Sequence, residues 1–172
     1  MTSLFSLQIL FILCAYAHAK DFYSHVVKDS SGEDFPLETY RGKVTLVVNV
    51  ASLCGYTDST YRALKKLHDI LSYGDFFSVL AFPCNQFGEQ EPHDMPDILE
   101  YVKNEFDVEF PVFNKIKVIG EDADPAFKTL IVAVRHTLNS GFACYVNYLD
   151  NFMVPFLDLI GWGLKSAIPI LT

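Results

Sequence analysis

The stretch Gly42–Gly55, GKVTLVVNVASLCG, decides the fold of this chain. Its β-branched run from Val44 to Val50 predicts a buried strand, and the pattern that follows Cys54 predicts an amphipathic helix. A buried strand that leads directly into a helix is typical of the opening of a βαβ unit. The sequence therefore indicates an α/β fold with a parallel sheet.

Cys54 stands at the junction between this strand and the helix. The start of a helix offers unpaired N–H groups and the positive end of the helix dipole, and both favour a thiolate over a thiol. This position makes Cys54 a candidate nucleophile. The alternative is a buried and inert cysteine, which is a common role for the residue, and the local pattern leaves both interpretations open.

Length and composition bound the class of protein. The 172 residues, 51% apolar and 20% charged, are enough for one folded domain with a core. The net charge of −8 and the absence of a basic stripe in the sequence argue against nucleic-acid binding. The histidines are dispersed without zinc spacing, so we expect no metal site.

Residues 1–19 are predicted to be a secretory signal peptide. Leu4–Tyr16 is apolar and uncharged, and Ala17-His18-Ala19 fits the small-x-small rule before a cleavage site. The segment is too short for an ordinary membrane span, although an uncleaved anchor is the alternative. We therefore expect a protein that is secreted or resides in the lumen of the endoplasmic reticulum.

Cleavage would remove Cys14 and leave Cys54, Cys84 and Cys144. An odd number of cysteines in an oxidising compartment indicates either one disulfide with a free thiol or a redox-active pair.

A second buried strand, Phe76–Phe82, is followed by Pro83 and Cys84. Right-handed βαβ topology places the carboxyl ends of neighbouring parallel strands at the same edge of the sheet. We therefore expect Cys54 and Cys84 to lie on one rim.

Neutral amides follow this second strand, at Asn85, Gln86 and Gln90. Amide donors can hydrogen-bond a thiolate or a peroxide oxygen without adding charge. Ordinary turn chemistry is the alternative explanation of such a loop.

The rest of the chain to residue 130 shows turn and helix signals. We expect a turn at Asp29–Gly32 and a helix over Asp58–Ser72, with Thr57 or Asp58 as its N-cap. A second helix is expected from about Asp94. Phe110–Ile119 is expected to be strand-like or loop-like, and Asp124-Pro125 to open a short helix.

Three segments resemble the glutathione peroxidase family: NVASLCGYT (Asn49–Thr57), LAFPCNQFGEQEP (Leu80–Pro92) and FPVFNKIKVIGEDADPAFKTL (Phe110–Leu130). The resemblance implies a thioredoxin-like fold, a domain over residues 20–130 and the reduction of hydrogen peroxide or organic hydroperoxides in the response to oxidative stress. The signal peptide, the cysteine form and the short spacing resemble the secretory-pathway members, which are small and mostly monomeric.

The resemblance also implies a role for each site residue. Cys54 would be the peroxidatic cysteine, which attacks the peroxide and becomes a sulfenic acid. Gln90 falls at the family's active-site glutamine. Asn85 and Gln86 beside it are expected, from their residue type alone, to be supporting amides. Cys84 falls at a cysteine that, in the secretory-pathway members, is proposed to condense with the sulfenic acid or to exchange with a partner thiol. No bound cofactor is implied, and the reductant would be glutathione or a partner similar to protein disulfide isomerase.

Beyond Leu130 the chain departs from the family pattern. The family continues with a Trp-Asn-Phe motif, two strands and a helix, whereas the only tryptophan here is Trp162, in a different context. Residues 131–172 form a divergent apolar segment in which charges interrupt any stretch of membrane-spanning length. We expect the family's C-terminal strands and helix to be missing or replaced, which would expose an edge beside the first strand.

The sequence leaves two alternatives to peroxidase activity for this chain. A chain without the Trp-Asn pair could be catalytically impaired and act as a redox-sensing or binding module. A thioredoxin-type disulfide oxidoreductase is disfavoured, because Cys54-Gly55-Tyr56-Thr57 lacks the second thiol of a Cys-x-x-Cys motif.

Overall fold

The computed structural model describes residues 21–137 and the short strand at residues 145–146. The predicted signal peptide, Cys144, Trp162 and most of the divergent segment lie outside the described residues. Short 3-10 turns occur at Phe22–Ser24 and Leu37–Tyr40. The remaining elements are β1 (Val26–Lys28), β2 (Asp34–Pro36), β3 (Val44–Val50), α1 (Thr57–Leu71), β4 (Phe77–Pro83), α2 (Met95–Phe106), α3 (Pro125–Thr137) and β5 (Tyr145–Val146).

The central sheet has the strand order β4-β3-β5. β3 and β4 pair in parallel, in a register that runs from Val44 opposite Phe77 to Val50 opposite Pro83. The structure thus contains the parallel βαβ unit that the sequence predicts, and both strands end at the same edge. Beyond β4, the backbone of Pro111–Phe113 continues the sheet through a parallel bridge between Ala81 and Val112.

β5 lies on the other side of β3. It pairs antiparallel with that strand, with Val146 opposite Leu46 and Tyr145 opposite Val47. The edge that we expected to be exposed beside the first strand is therefore partly covered, because a short strand of the divergent segment takes up its hydrogen bonds.

The core lies on both faces of the sheet. Val79 and Ala81 of β4 pack with α1 and α2 on one face, whereas Leu80 and Phe82 pack with α3 and the N-terminal elements on the other. Successive strand residues point to opposite faces, so a strand covered on both sides is apolar throughout. This explains why the sequence of β4 shows no alternation of apolar and polar residues.

The helices begin close to the predicted positions. α1 starts at Thr57 with Tyr56 as its N-cap, so the prediction of Thr57 or Asp58 as the cap is wrong. α2 follows Asp94, with Pro96 in its first turn, as predicted. No helix within residues 21–137 is both long enough and apolar enough to span a membrane.

β1 and β2 form a hairpin around the predicted turn. The carboxylate of Asp29 accepts bonds from the backbone N–H groups of Ser31 and Glu33 at 2.8 and 3.1 Å. Gly32 has φ +87°, a conformation that glycine adopts without strain. An Asx turn and a left-handed glycine together close this hairpin.

Candidate active site

A tight turn carries Cys54 from the end of β3 to the start of α1. Thr57 fixes this turn, because its hydroxyl donates to the carbonyl of Ala51 at 2.6 Å and accepts from the N–H of Cys54 at 3.1 Å. The N–H of Thr57 in turn donates to the carbonyl of Cys54 at 3.0 Å. The thiol of Cys54 is free and half-buried. Thr57 is therefore unavailable as a helix cap, since its hydroxyl holds the turn instead.

Cys84 lies directly beyond β4 and is buried, with 1% of its surface exposed. Its N–H donates to the carbonyl of Val50 at 3.0 Å, which continues the parallel pairing past the last residue of β4. Its thiol donates to Oε1 of Gln86 at 3.7 Å. Burial raises the pKa of the Cys84 thiol, so this side chain is a neutral thiol at pH 7.

Cys54, Cys84 and Gln90 line one cavity of about 110 Å³. The structure thus brings together three of the five site residues that the sequence predicts. The rest of the wall is neutral, formed by Asn49, Val50, Ala51, Tyr56, Thr57, Thr60, Tyr61 and Phe87. A cavity of this size and polarity suits a small uncharged molecule that must reach a thiol.

Asn85 and Gln86 are outside the wall of this cavity. The side-chain NH₂ of Gln86 donates to the carbonyl of Ile119 at 2.8 Å, and its Oε1 accepts from the N–H groups of Val118 and Ile119. Oδ1 of Asn85 accepts from the N–H of Glu91 at 2.7 Å. These hydrogen bonds anchor the loop after β4, and the structure does not bring either amide to the thiol of Cys54.

Glu91 is a residue that the sequence analysis missed. Its side chain is fully buried (0% exposed), and its Oε2 accepts from the hydroxyl of Ser52 at 3.0 Å. Burial raises the pKa of the carboxyl group. A glutamate in a polar loop is ordinarily exposed, so the residue type gave no signal of this position.

Tyr61 places a second buried polar group in the same region. Tyr61 lines the cavity, and its hydroxyl has no hydrogen-bond partner among the described residues. Burial, with a smaller contribution from the charge of Glu91, raises the pKa of the Tyr61 hydroxyl.

Among the residues that the structure describes, no group of three His, Cys, Asp or Glu side chains is arranged to bind a metal ion.

The parallel β3–α1–β4 unit, with a cysteine in the turn before α1, defines a thioredoxin-like protein. The crystal structure of T. cruzi GPX1 has this fold and matches with a TM-score of 0.53 at 32% sequence identity, over 67% of each chain. The glutathione peroxidase family model matches residues 22–131. The chain therefore belongs to the glutathione peroxidase family.

Relatives of known name agree with this assignment. The human protein named probable glutathione peroxidase 8 is 46% identical over 155 residues, which cover 90% of this chain and 72% of the relative. The mouse protein of the same name is 44% identical over 154 residues, which cover 89% and 71%. The chain is a peroxidase by family, an oxidoreductase whose relatives use a thiol as the reductant rather than a bound cofactor.

Proposed function

We propose that this chain is a thiol-dependent peroxidase in which Cys54 reduces hydrogen peroxide or small organic hydroperoxides. Membership of the family supports the reaction class. The observation that carries the residue assignment is the shared cavity, which is lined by two free cysteines, Gln90 and neutral residues.

In the first step, the thiolate of Cys54 attacks one oxygen of the peroxide and the O–O bond breaks. The departing oxygen takes up a proton and leaves as water or an alcohol, and Cys54 becomes a sulfenic acid. The amide of Gln90 hydrogen-bonds the peroxide as charge develops on the departing oxygen.

The turn before α1 supports this assignment for Cys54. Its backbone is held on both sides by Thr57, so the thiol is presented at a fixed place in the cavity. The N-cap residue Tyr56 supplies no side-chain acceptor to the first N–H groups of α1. The positive end of the α1 dipole therefore lies at the turn that carries Cys54.

In the second step, the thiol of Cys84 condenses with the sulfenic acid of Cys54. A sulfur–sulfur bond forms and one water is released, and two equivalents of thiol then reduce the disulfide. The reductant is glutathione or a protein similar to protein disulfide isomerase. The position of Cys84 on the same cavity supports this route, and burial raises the pKa of its thiol, which lowers the fraction of reactive thiolate.

We also propose where the protein acts and how the chain is divided. Residues 1–19 are a signal peptide, 20–130 the peroxidase domain and 131–172 a divergent segment. The protein works as a monomer, secreted or in the lumen of the endoplasmic reticulum, in the response to oxidative stress. The apolar segment before Ala17-His18-Ala19 supports the location, and the family match over residues 22–131 supports the domain.

Stopped-flow oxidation tests the proposal. The reduced full chain is mixed with one equivalent of hydrogen peroxide, and the products are mapped by mass spectrometry. We expect selective oxidation of Cys54, followed by a Cys54–Cys84 disulfide. Slow oxidation of all the cysteines at similar rates would contradict the proposal and leave a chain without peroxidase function.

A further inference from the structure

Two hydrogen bonds join the turn that precedes Cys54 to the loop that contains Gln90. The N–H of Leu53 donates to the carbonyl of Gln90 at 2.9 Å, and the hydroxyl of Ser52 donates to Oε2 of Glu91 at 3.0 Å. Successive residues of one loop thus bind successive residues of the other. We call these four residues the loop clamp. Because Leu53 directly precedes Cys54, the clamp controls where Cys54 lies relative to Gln90.

The buried carboxyl group of Glu91 is unfavourable for the stability of the fold. It is fully buried, and its Oε1 has no hydrogen-bond partner among the described residues. Burying a carboxyl group with an unpartnered oxygen is costly, and an apolar side chain of similar volume is often neutral or stabilising at such a site. Stability therefore does not explain the carboxyl group.

The backbone of this loop is already anchored without that side chain. The N–H of Glu91 donates to Oδ1 of Asn85, and Gln86 binds the segment at Val118 and Ile119. What the carboxyl group adds is its bond to Ser52, on the other loop. The carboxyl group therefore helps to fix the distance between the turn that precedes Cys54 and the loop that contains Gln90.

We propose that Glu91 is a positioning residue for the peroxidatic site, which acts by holding Ser52 through its buried carboxyl group. Glu91 is absent from the cavity wall, so it acts through the residues that it holds. The bond fixes the separation of Cys54 and Gln90, which line the same cavity. This inference rests on the proposed function, in which these two groups meet the peroxide.

Three variants of the full chain separate positioning from simple support of the fold. Glu91→Gln keeps an acceptor oxygen at the same reach, and Glu91→Leu replaces the carboxyl group with an apolar side chain of similar volume. Ser52→Ala removes the hydroxyl donor and keeps the backbone N–H of residue 52. Two rates are measured for Cys54 in each: oxidation by hydrogen peroxide and alkylation by iodoacetamide. Alkylation reports the reactivity of the thiol without any need for Gln90.

We expect Glu91→Gln to oxidise within about threefold of the parent, and Glu91→Leu and Ser52→Ala to oxidise about tenfold or more slowly. Alkylation should stay within about threefold in all three. The melting temperature of Glu91→Leu should stay close to that of the parent, because the loss of a buried carboxyl group offsets the loss of the acceptor for the hydroxyl of Ser52. The double variant of Ser52 and Glu91 should be no slower than the single ones, since both remove the same bond.

A control variant loses a buried hydrogen bond elsewhere. Thr45 of β3 is fully buried and its hydroxyl bonds that of Tyr23 at 2.9 Å, away from the cavity. Thr45→Val should lower the melting temperature and leave the oxidation rate of Cys54 unchanged.

The outcomes distinguish the inference from the proposed function. A parent chain without fast and selective oxidation of Cys54 overturns both. If Cys54 of the parent oxidises fast and its oxidation rate in Glu91→Leu and Ser52→Ala stays within threefold of the parental rate, the positioning role alone is overturned. The same holds if Glu91→Gln loses as much of the oxidation rate as Glu91→Leu does. If Glu91→Leu does not fold, Ser52→Ala decides by the same rates.

Discussion

The N–H of Cys84 donates to the carbonyl of Val50 at 3.0 Å, so the two loops that carry the cysteines leave the sheet side by side. This bond extends the parallel register of β3 and β4 by one step beyond Pro83. Cysteines that are far apart in the chain therefore share a cavity as a direct result of strand pairing. The chemistry proposed for Cys54 depends on this register.

Replacement of Cys54 by serine tests the nucleophile. A serine hydroxyl is far less acidic than a thiol and does not form a sulfenic acid, so we expect peroxide consumption with a thiol reductant to fall by at least about 10³-fold. Coupled turnover assays with glutathione and with a thiol protein measure the loss. A Cys54→Ser chain that keeps its full rate would exclude Cys54 as the peroxidatic residue.

Replacement of Cys84 by serine tests the second step. The first oxidation of Cys54 should proceed at the parental rate, and the product should stop at the sulfenic acid instead of a disulfide. Mass spectrometry after trapping with a sulfenic-acid reagent identifies the product. A disulfide between Cys54 and another cysteine in this variant would show that Cys84 is dispensable for resolution.

Replacement of Gln90 by leucine removes an amide from the cavity wall and keeps the volume of the side chain. Loss of one preorganised donor to a developing oxyanion typically costs about 10²–10³-fold in rate. We expect a fall of that order in the oxidation of Cys54 by peroxide. Alkylation by iodoacetamide should be nearly unchanged, and an equal fall in both rates would mean that Gln90 acts on the thiol alone.

Thr57→Val tests how the turn is held. The variant keeps the shape of the side chain but leaves the carbonyl of Ala51 and the N–H of Cys54 without their partner. We expect a loss of about 1–3 kcal/mol in the free energy of unfolding, measured in urea, together with slower oxidation of Cys54. Thr39→Val is a matched control, because its hydroxyl donates to a carbonyl at an exposed position. It should change the free energy by less than about 0.5 kcal/mol.

The sequence was sufficient for the parts of the fold that depend on local pattern. The β-branched run of β3 and the apolar run of β4 predict buried parallel strands, and Asp94 with Pro96 predicts the start of α2. The common edge of β3 and β4 follows from topology alone. The proximity of Cys54 and Cys84 could therefore be inferred from the sequence alone.

Contacts between distant segments could not be read from the sequence. Thr57 has the residue type of a helix cap, but its hydroxyl is taken by Ala51. Gln86 has the residue type of a free donor, but its amide binds the backbone of Val118 and Ile119. Glu91 is buried against the usual preference of its type. In each case a tertiary partner determined the role, and local preference did not reveal it.

Glu91→Gln should also change how stability depends on pH. Burial raises the pKa of the Glu91 carboxyl group in the folded chain, so the folded state binds its proton more tightly than the unfolded state does. Stability from this group is therefore fully present below the unfolded pKa of about 4.3 and is lost as pH rises through the folded pKa. A glutamine has no such loss.

We therefore expect the difference in the free energy of unfolding between Glu91→Gln and the parent to favour the variant more at pH 7 than at pH 4. Urea unfolding at both pH values measures this difference. Glu109→Gln, at an exposed position, is the control and should show a smaller difference between the two pH values. A difference between the Glu91→Gln variant and the parent that is the same at pH 4 and pH 7 would show that the Glu91 carboxyl group titrates in the folded chain as it does in the unfolded one.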